Sequence, residues 1–280
     1  MTDDLDDIGW VMWAGTIGLE SPISARIEAA HASGCQRFSV GPPDFLAAEL
    51  PPPSIGRAAR EAGLDLVIDP ILGWCGEERL PGPYGALSRD EVLAIASDLG
   101  AVALTALGPF QPTITTDEVA RSFGELCDRA SEFGAQVHLE FMPGTAIVDV
   151  PAAIEVIEKA DRGNGGVLVD TFHFFRGNPD MDALARLPGD RVFAVQVSDA
   201  PAEFNGDYAD ATFHRVMPGD GEIDLAGLLR TLDRAGGLRW IGPEVISPAT
   251  AAMPPVDAAV EATERIRDIV RSARALHNGT

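Results

Sequence analysis

GVLVDTFHFFRGN, residues 166–178, is a short apolar run that ends in polar chemistry. Val167, Leu168 and Val169, bounded by Gly165-Gly166, read as a buried strand. At its C-terminal end stands Asp170, followed by His173, and Arg176-Gly177 closes the apolar segment. A carboxylate at the point where a hydrophobic strand leaves a core is poorly placed for packing and well placed for chemistry. Three more strand-like runs end in the same way. VHLE ends at Glu140, VFAVQVSDAP carries Gln196 and then Asp199, and WIGPEVISP carries Glu244.

Outward from these runs, strand and helix signals alternate along the whole chain. Val11–Gly18 reads as a first strand with its exit loop, and a helix runs from Ser21-Pro22 to about Ser33 before Gly34. Arg37–Val40 is a second strand, ending in GPPDF. A helix around Pro52–Ala62 precedes a third strand, Leu64–Pro70, and a Gly/Pro-rich loop, Leu72–Gly85. Ser88 with Glu91 forms a capping box that opens the next helix, and Ala101–Gly108 is the fourth strand. A long helix from Thr115/Thr116 to Phe133 leads to the fifth strand, Gln136–Glu140, and a helix from Val150 to about Ala160 leads to the sixth. A helix near Met181–Leu187, a strand Arg191–Val197, a helix Asp224–Ala235, a strand Trp240–Val245 and a helix Pro255–Ala275 complete the series. Eight strands alternating with helices imply a parallel sheet with helical cover. At 280 residues without a linker-like break, this favours one domain, a closed (β/α)₈ TIM barrel of the α/β class. No G-x-G-x-x-G follows the first strand and no GxxxxGK[ST] occurs, so a nucleotide-binding open sheet loses support.

Composition narrows the partners. The net charge is −22 and Lys159 is the single lysine, which disfavours nucleic acid and anionic membranes. No apolar run approaches the roughly 20 residues needed to cross a bilayer. The start MTDDLDDIGW is acidic, unlike a signal peptide. Cys35, Cys75 and Cys127 are far apart and form no CxxC pair, as in a cytoplasmic protein with reduced thiols.

In such a barrel, strand ends converge on one mouth. Glu140, Asp170, Gln196 and Glu244 would then face each other from strands five to eight. Three carboxylates and an amide oxygen would repel one another if empty, and a hard divalent cation resolves this. Oxygen ligands suit Mg²⁺ or Mn²⁺ better than Zn²⁺. One such ion can polarise a carbonyl and stabilise an enediolate while a carboxylate moves a proton. His173 is open to two readings, a structural hydrogen bond or a substrate contact. Phe172, Phe174 and Phe175 read as core and pocket wall.

These residues carry a resemblance. VHLEFMPG, VLVDTFHFFRG, HRVMPGDGEIDLAGLL and WIGPEVISP resemble segments of the xylose isomerase-like barrel family, which includes sugar isomerases and epimerases, hydroxypyruvate isomerase, inosose and 3-dehydroshikimate dehydratases, and endonuclease IV. The resemblance implies Glu140 as metal ligand and acid/base, Asp170 on the metal, His173 at the substrate, Glu244 as ligand and second acid/base group, and Arg215 on substrate oxygens. Many sugar epimerases of this family carry His where this chain has Gln196; Gln there resembles hydroxypyruvate isomerases and dehydroshikimate-type dehydratases. SDAP, 198–201, leans to the dehydratases, and GEIDLAGLLRTLDRAGGLRWIGPE leans to the isomerases. SVGPPDF lacks the acidic residue often found at the second strand's end. Endonuclease-type membership is disfavoured by the charge and by only five histidines, His31, His138, His173, His214 and His277.

The expectation is a metal-dependent isomerase or epimerase of a small polyhydroxylated carbonyl substrate, with a dehydratase as the alternative. A non-catalytic relative is a third reading, opposed by the joint presence of all six site residues. A homodimer is expected from the resemblance and from Ile71, Leu72 and Trp74 at the head of the 72–85 loop, which would cover the pocket or meet a second subunit.

Overall fold

The computed structural model describes residues 5–47, 50–76, 82–111 and 113–275. Residues 77–81 of the 72–85 loop and His277 lie outside the described residues. Eight parallel strands close into a barrel in sequence order. They are β1 (Gly9–Met12), β2 (Arg37–Val40), β3 (Asp65–Ile71), β4 (Ala103–Leu107), β5 (Gln136–Glu140), β6 (Gly165–Asp170), β7 (Val192–Val197) and β8 (Trp240–Pro243). β1 closes the ring on β8 through Gly9↔Trp240 and Trp10↔Ile241.

The covering helices are α1 (Ile23–Ala32), α2 (Pro42–Ala47), α3 (Pro52–Glu61), α4 (Arg89–Leu99), α5 (Thr116–Ser131), α6 (Val150–Ala160), α7 (Thr171–Arg176), α8 (Met181–Arg186), α9 (Tyr208–Thr212), α10 (Leu225–Arg234), α11 (Pro248–Ala251) and α12 (Pro255–Ala275). Their starts follow local chemistry. Ser88 with Glu91 and Thr115 with Glu118 form reciprocal capping boxes, each worth about 0.5–2 kcal/mol. Short α2, α7, α9 and α11 are not among the helices expected from the sequence, whereas equally short α8 is. Helices of four to six residues carry little periodicity, so few of them are legible in the sequence.

Strand residues alternate between the helical layer and the barrel interior. Val11, Trp13, Val67, Ala103, Leu168 and Ala194 form an interior cluster against which Trp240 packs. Further along the same parity come Asp69, Glu140, Asp170 and Gln196, with Glu244 one step beyond the Gln196–Gly242 pair, at the mouth. At the opposite end, the Arg37 guanidinium lies 3.5 Å over the Trp240 ring. Burial lowers the Arg37 pKa to about 10, against the pull of Asp65. Gly9 makes room for this plug, since a Cβ there would come within 2.4 Å of the Trp240 ring.

His138 is buried on β5, edge-on to Phe193 at 6.2 Å, and neither ring nitrogen has a partner among the described residues. Burial, reinforced by Arg37, pushes its pKa from 6.5 down to about 3. The unfolded chain takes up this proton near pH 6.5, whereas the folded chain waits until about pH 3. Between those values the unfolded state binds more protons, so stability falls as pH falls, by up to about 1.4 kcal/mol per pH unit from this group. Urea unfolding at a series of pH values should therefore show a shallower acid decline for His138→Leu than for the wild type. Parallel declines would refute this.

The head of the 72–85 loop is packed within the chain. Ile71, Leu72 and Trp74 are buried in their own chain. Trp74 Nε1 donates to the Leu107 carbonyl at 2.7 Å, and its ring meets Phe123 edge-on at 6.1 Å. These side chains are thus covered by their own barrel.

Candidate active site

All six residues singled out in the sequence meet at the mouth. Asp170 ends β6 and caps α7, its Oδ1 accepting from the Phe172 and His173 backbone N–H groups at 2.7 and 3.3 Å. Its Oδ2 accepts from Arg215 Nη1 at 2.9 Å. The same Nη1 donates to Glu244 Oε2 at 2.8 Å and to the Glu244 carbonyl at 3.1 Å. Gln196, paired in register with Asp170 and with Gly242, donates from Nε2 to Glu244 Oε1 at 2.9 Å. His173 Nε2 sits 3.4 Å from both Glu140 Oε1 and Asp170 Oδ2.

Charge and burial act together here. Burial works to raise the Asp170 carboxyl, but Arg215 and His173 outweigh it and hold the group below its ordinary range. For Glu244 burial wins. Against Arg215, and with Asp170, Asp69 and Glu140 adding to it, burial pushes the carboxyl well above its usual value. Burial would lower the Arg215 pKa, yet Asp170 and Glu244 raise it on balance, so the guanidinium is firmly charged.

The chain places Arg215 by a separate clamp. Asp199 and Val216 form an antiparallel bridge. Asp199 Oδ1 accepts from the Ala200 and Ile223 N–H groups at 2.8 and 3.0 Å, and Oδ2 from Gly219 at 3.0 Å. Asp199, which shares a strand-end run with Gln196, is thus a staple for the 215–223 loop, and its oxygens are spent there. SVGPPDF does hold a carboxylate, Asp44, four residues past the end of β2; it accepts from the Gly41 N–H at 2.9 Å and pairs with buried Arg26, so it braces α1 against the β2 exit.

Two residues of this region carry no motif. Asp69, near the end of β3, is half-buried; burial and Glu140 push its carboxyl well above the usual range, opposed by the Thr105 hydroxyl and assisted by Asp170. Its signal was present, since LVID, 66–69, ends in a carboxylate as VHLE does. Tyr208 of α9 binds His173 Nδ1 through its hydroxyl. It lies in the polar run FNGDYADAT, 204–212, where nothing in the spacing marks it.

The donor set fits a hard divalent cation. Carboxylate oxygens of Glu140 and Asp170 lie within 4.8 Å of each other, with a ring nitrogen of His173 equally near. Oε1 of Gln196 is buried without a hydrogen-bonding partner among the described residues, a state that costs about 1–3 kcal/mol unless something fills it. Glu244 stands outside the 4.8 Å group, its oxygens held by Gln196 and Arg215.

The sequence profile of the xylose isomerase-like TIM barrel family matches residues 27–269. The chain belongs to this family. Within the curated relatives of this xylose isomerase-like barrel, 3-dehydroshikimate dehydratase of Pseudomonas aeruginosa is 27% identical over 249 residues, covering 85% of this chain and 38% of that protein. The chain therefore spans well under half the length of the dehydratase it matches. A putative hydroxypyruvate isomerase of Streptomyces coelicolor is 27% identical over 256 residues, covering 80% of this chain and 86% of that protein. Among solved structures, that of the IOLI protein with a binding zinc atom superposes with a TM-score of 0.78 at 19% identity, covering 95% of this chain and 99% of that one. The xylose isomerase-like relatives thus include both isomerases and dehydratases, and no helix among the described residues of this barrel is long and apolar enough to cross a membrane.

Proposed function

We propose that this chain is a divalent-metal-dependent isomerase or epimerase that removes a proton α to a carbonyl on a small polyhydroxylated keto or aldo compound. The observation that carries this reading is the meeting of Glu140, Asp170, Gln196 and Glu244 from four successive strands, with the Gln196 Oε1 left for a ligand. All-oxygen donors favour Mg²⁺ or Mn²⁺, and the zinc atom of the structurally similar IOLI protein supports a divalent ion in general. Bound there, the ion would polarise the substrate carbonyl and stabilise the enediolate.

The chain's own residues divide the remaining work. Glu140 takes the α-proton from one side of the carbon chain. Glu244, whose carboxyl burial pushes well above its usual range, stands on the other side as the acid that returns one, its Oε1 fixed by Gln196. Arg215 and His173 donate hydrogen bonds to substrate oxygens. Return of the proton to the neighbouring carbon gives isomerisation; return to the opposite face gives epimerisation. A second reading, loss of a β-hydroxyl to give an α,β-unsaturated carbonyl, is favoured by the dehydratase relative aligned over 85% of the chain.

The deciding experiment combines elemental analysis with metal-titrated turnover of ketoses, keto-cyclitols and keto acids in D₂O. The expected result is near-stoichiometric Mg²⁺ or Mn²⁺ and deuterium on a carbon beside the carbonyl. New ultraviolet absorbance would select dehydration. Failure to bind metal under any loading, with no label in any product, would overturn both readings.

The same proposal takes the net charge of −22 as support for a partner list without nucleic acid or membrane. Cys35 and Cys127 are free and buried, their thiols raised by burial to about 11 and about 12. Such unreactive thiols support a cytoplasmic setting. A homodimer completes the reading, and light scattering on the purified chain checks it.

A further inference from the structure

His173 is held from three sides. Its Nε2 faces two carboxylate oxygens, Glu140 Oε1 and Asp170 Oδ2, each at 3.4 Å. Its Nδ1 is bound by the Tyr208 hydroxyl. Its ring is edge-on to Phe172, with centroids 5.7 Å apart, and tilted over Tyr208 at 5.9 Å. The imidazole is buried, so it cannot exchange these partners for water without moving.

The two ends of the ring are not equivalent. Carboxylate oxygens accept hydrogen bonds and repel a bare nitrogen lone pair, so at 3.4 Å they favour, without alone fixing, a hydrogen on the nitrogen turned toward them. Where the ring carries a single hydrogen, the other nitrogen is the acceptor. A phenol can donate as well as accept, so Tyr208 can meet that acceptor as a donor.

From this geometry we infer that Tyr208 is a positioning residue, whose hydroxyl donates to Nδ1 of His173 and so presents Nε2–H to the mouth as a hydrogen-bond donor. This rests on the proposed reading of the site, in which His173 meets a substrate oxygen. It also divides the residues near Glu140. A nitrogen that carries hydrogen cannot ligate a metal, so His173 stands beside a metal set made of Glu140, Asp170, Gln196 and Glu244.

The polypeptide gives Tyr208 a firm seat. Arg176, at the end of α7, donates to the Pro201 carbonyl at 2.6 Å and to the Ala202 carbonyl at 3.0 Å. These bonds tie the start of the β7–α9 loop to the helix that carries His173. Asp207 caps α9 through the Asp210 N–H at 2.8 Å. Phe172 and Tyr208 pack with ring centroids 6.0 Å apart. The loop after β7 thereby sets the tautomer of a residue that follows β6.

Nitrogen NMR on histidine-labelled protein tests this directly. His173→Gln assigns the resonance, and spectra are taken without metal and with Mg²⁺. The expected spectrum shows one protonated and one unprotonated nitrogen, the hydrogen on Nε2, unchanged by Mg²⁺. Tyr208→Phe should give mixed tautomers, and KM for whichever panel substrate is turned over should rise about five- to tenfold, with kcat and Mg²⁺ affinity unchanged. His173→Gln should keep Mg²⁺ affinity, while Asp170→Asn should lose about tenfold or more.

A hydrogen on Nδ1, a doubly protonated ring, or loss of Mg²⁺ affinity in His173→Gln would overturn the inference. So would a Tyr208→Phe variant with the wild-type tautomer. If that variant does not fold, the wild-type spectrum and the Mg²⁺ titrations decide alone. If no substrate of any class is turned over, the functional reading fails, and the tautomer and titration results still judge the role of Tyr208.

Discussion

Glu140→Gln should lower turnover by about 100- to 10,000-fold, the range for loss of a positioned general base. The substitution keeps the length and an oxygen donor but removes the ability to accept a proton. KM should change less than turnover, because glutamine keeps an oxygen beside His173 Nε2, 3.4 Å from Glu140 Oε1, and Arg215 keeps its own partners. Label from D₂O should vanish from recovered substrate as well as from product, since the first proton is never removed. Glu244→Gln is the informative companion. If Glu244 only returns the proton, its glutamine variant should still exchange label into substrate while forming little product. A Glu140→Gln enzyme with wild-type turnover would show that the proton goes elsewhere.

Arg215→Met should cost about 3–5 kcal/mol of stability, as expected when one partner of a buried ionic network is removed. Arg215 is 2% exposed and Asp170 is fully buried, so water cannot take over the missing charge. The single Nη1 contacts Asp170 Oδ2, Glu244 Oε2 and the Glu244 carbonyl. Methionine fills most of the volume and answers none of them. For a chain of this size the melting temperature should fall by about 6–15 °C. Divalent metal should restore part of the loss, because a cation among the same oxygens replaces the lost positive charge. Equal melting temperatures for variant and wild type would mean that the carboxylates do not depend on this cation.

The barrel and most of the mouth were legible because both rest on local signals. A β-branched run between Gly165-Gly166 and Asp170 is a strand that ends in chemistry, and the same pattern recurs at Glu140 and Glu244. Capping boxes at Ser88 and Thr115 mark helix starts without tertiary help. What stayed hidden depends on chain segments meeting. Tyr208 reaches His173 across 35 residues, from a loop whose composition says only that it is polar. Asp199 and Asp170 look alike as strand-end carboxylates; the first is consumed by backbone N–H groups of residues 219 and 223. The burial of Leu72 and Trp74 under their own barrel likewise follows from Leu107 and Phe123, which no reading of the 72–85 loop contains.

The stack of Arg37 on Trp240 makes the barrel a blind-ended vessel. With the floor occupied by a guanidinium on an indole, and with Trp13, Val67 and Leu168 clustered above it, the described residues fill the axis from that end. Substrate and product must share one doorway. A product molecule that lingers then excludes the next substrate outright, so product inhibition should be competitive.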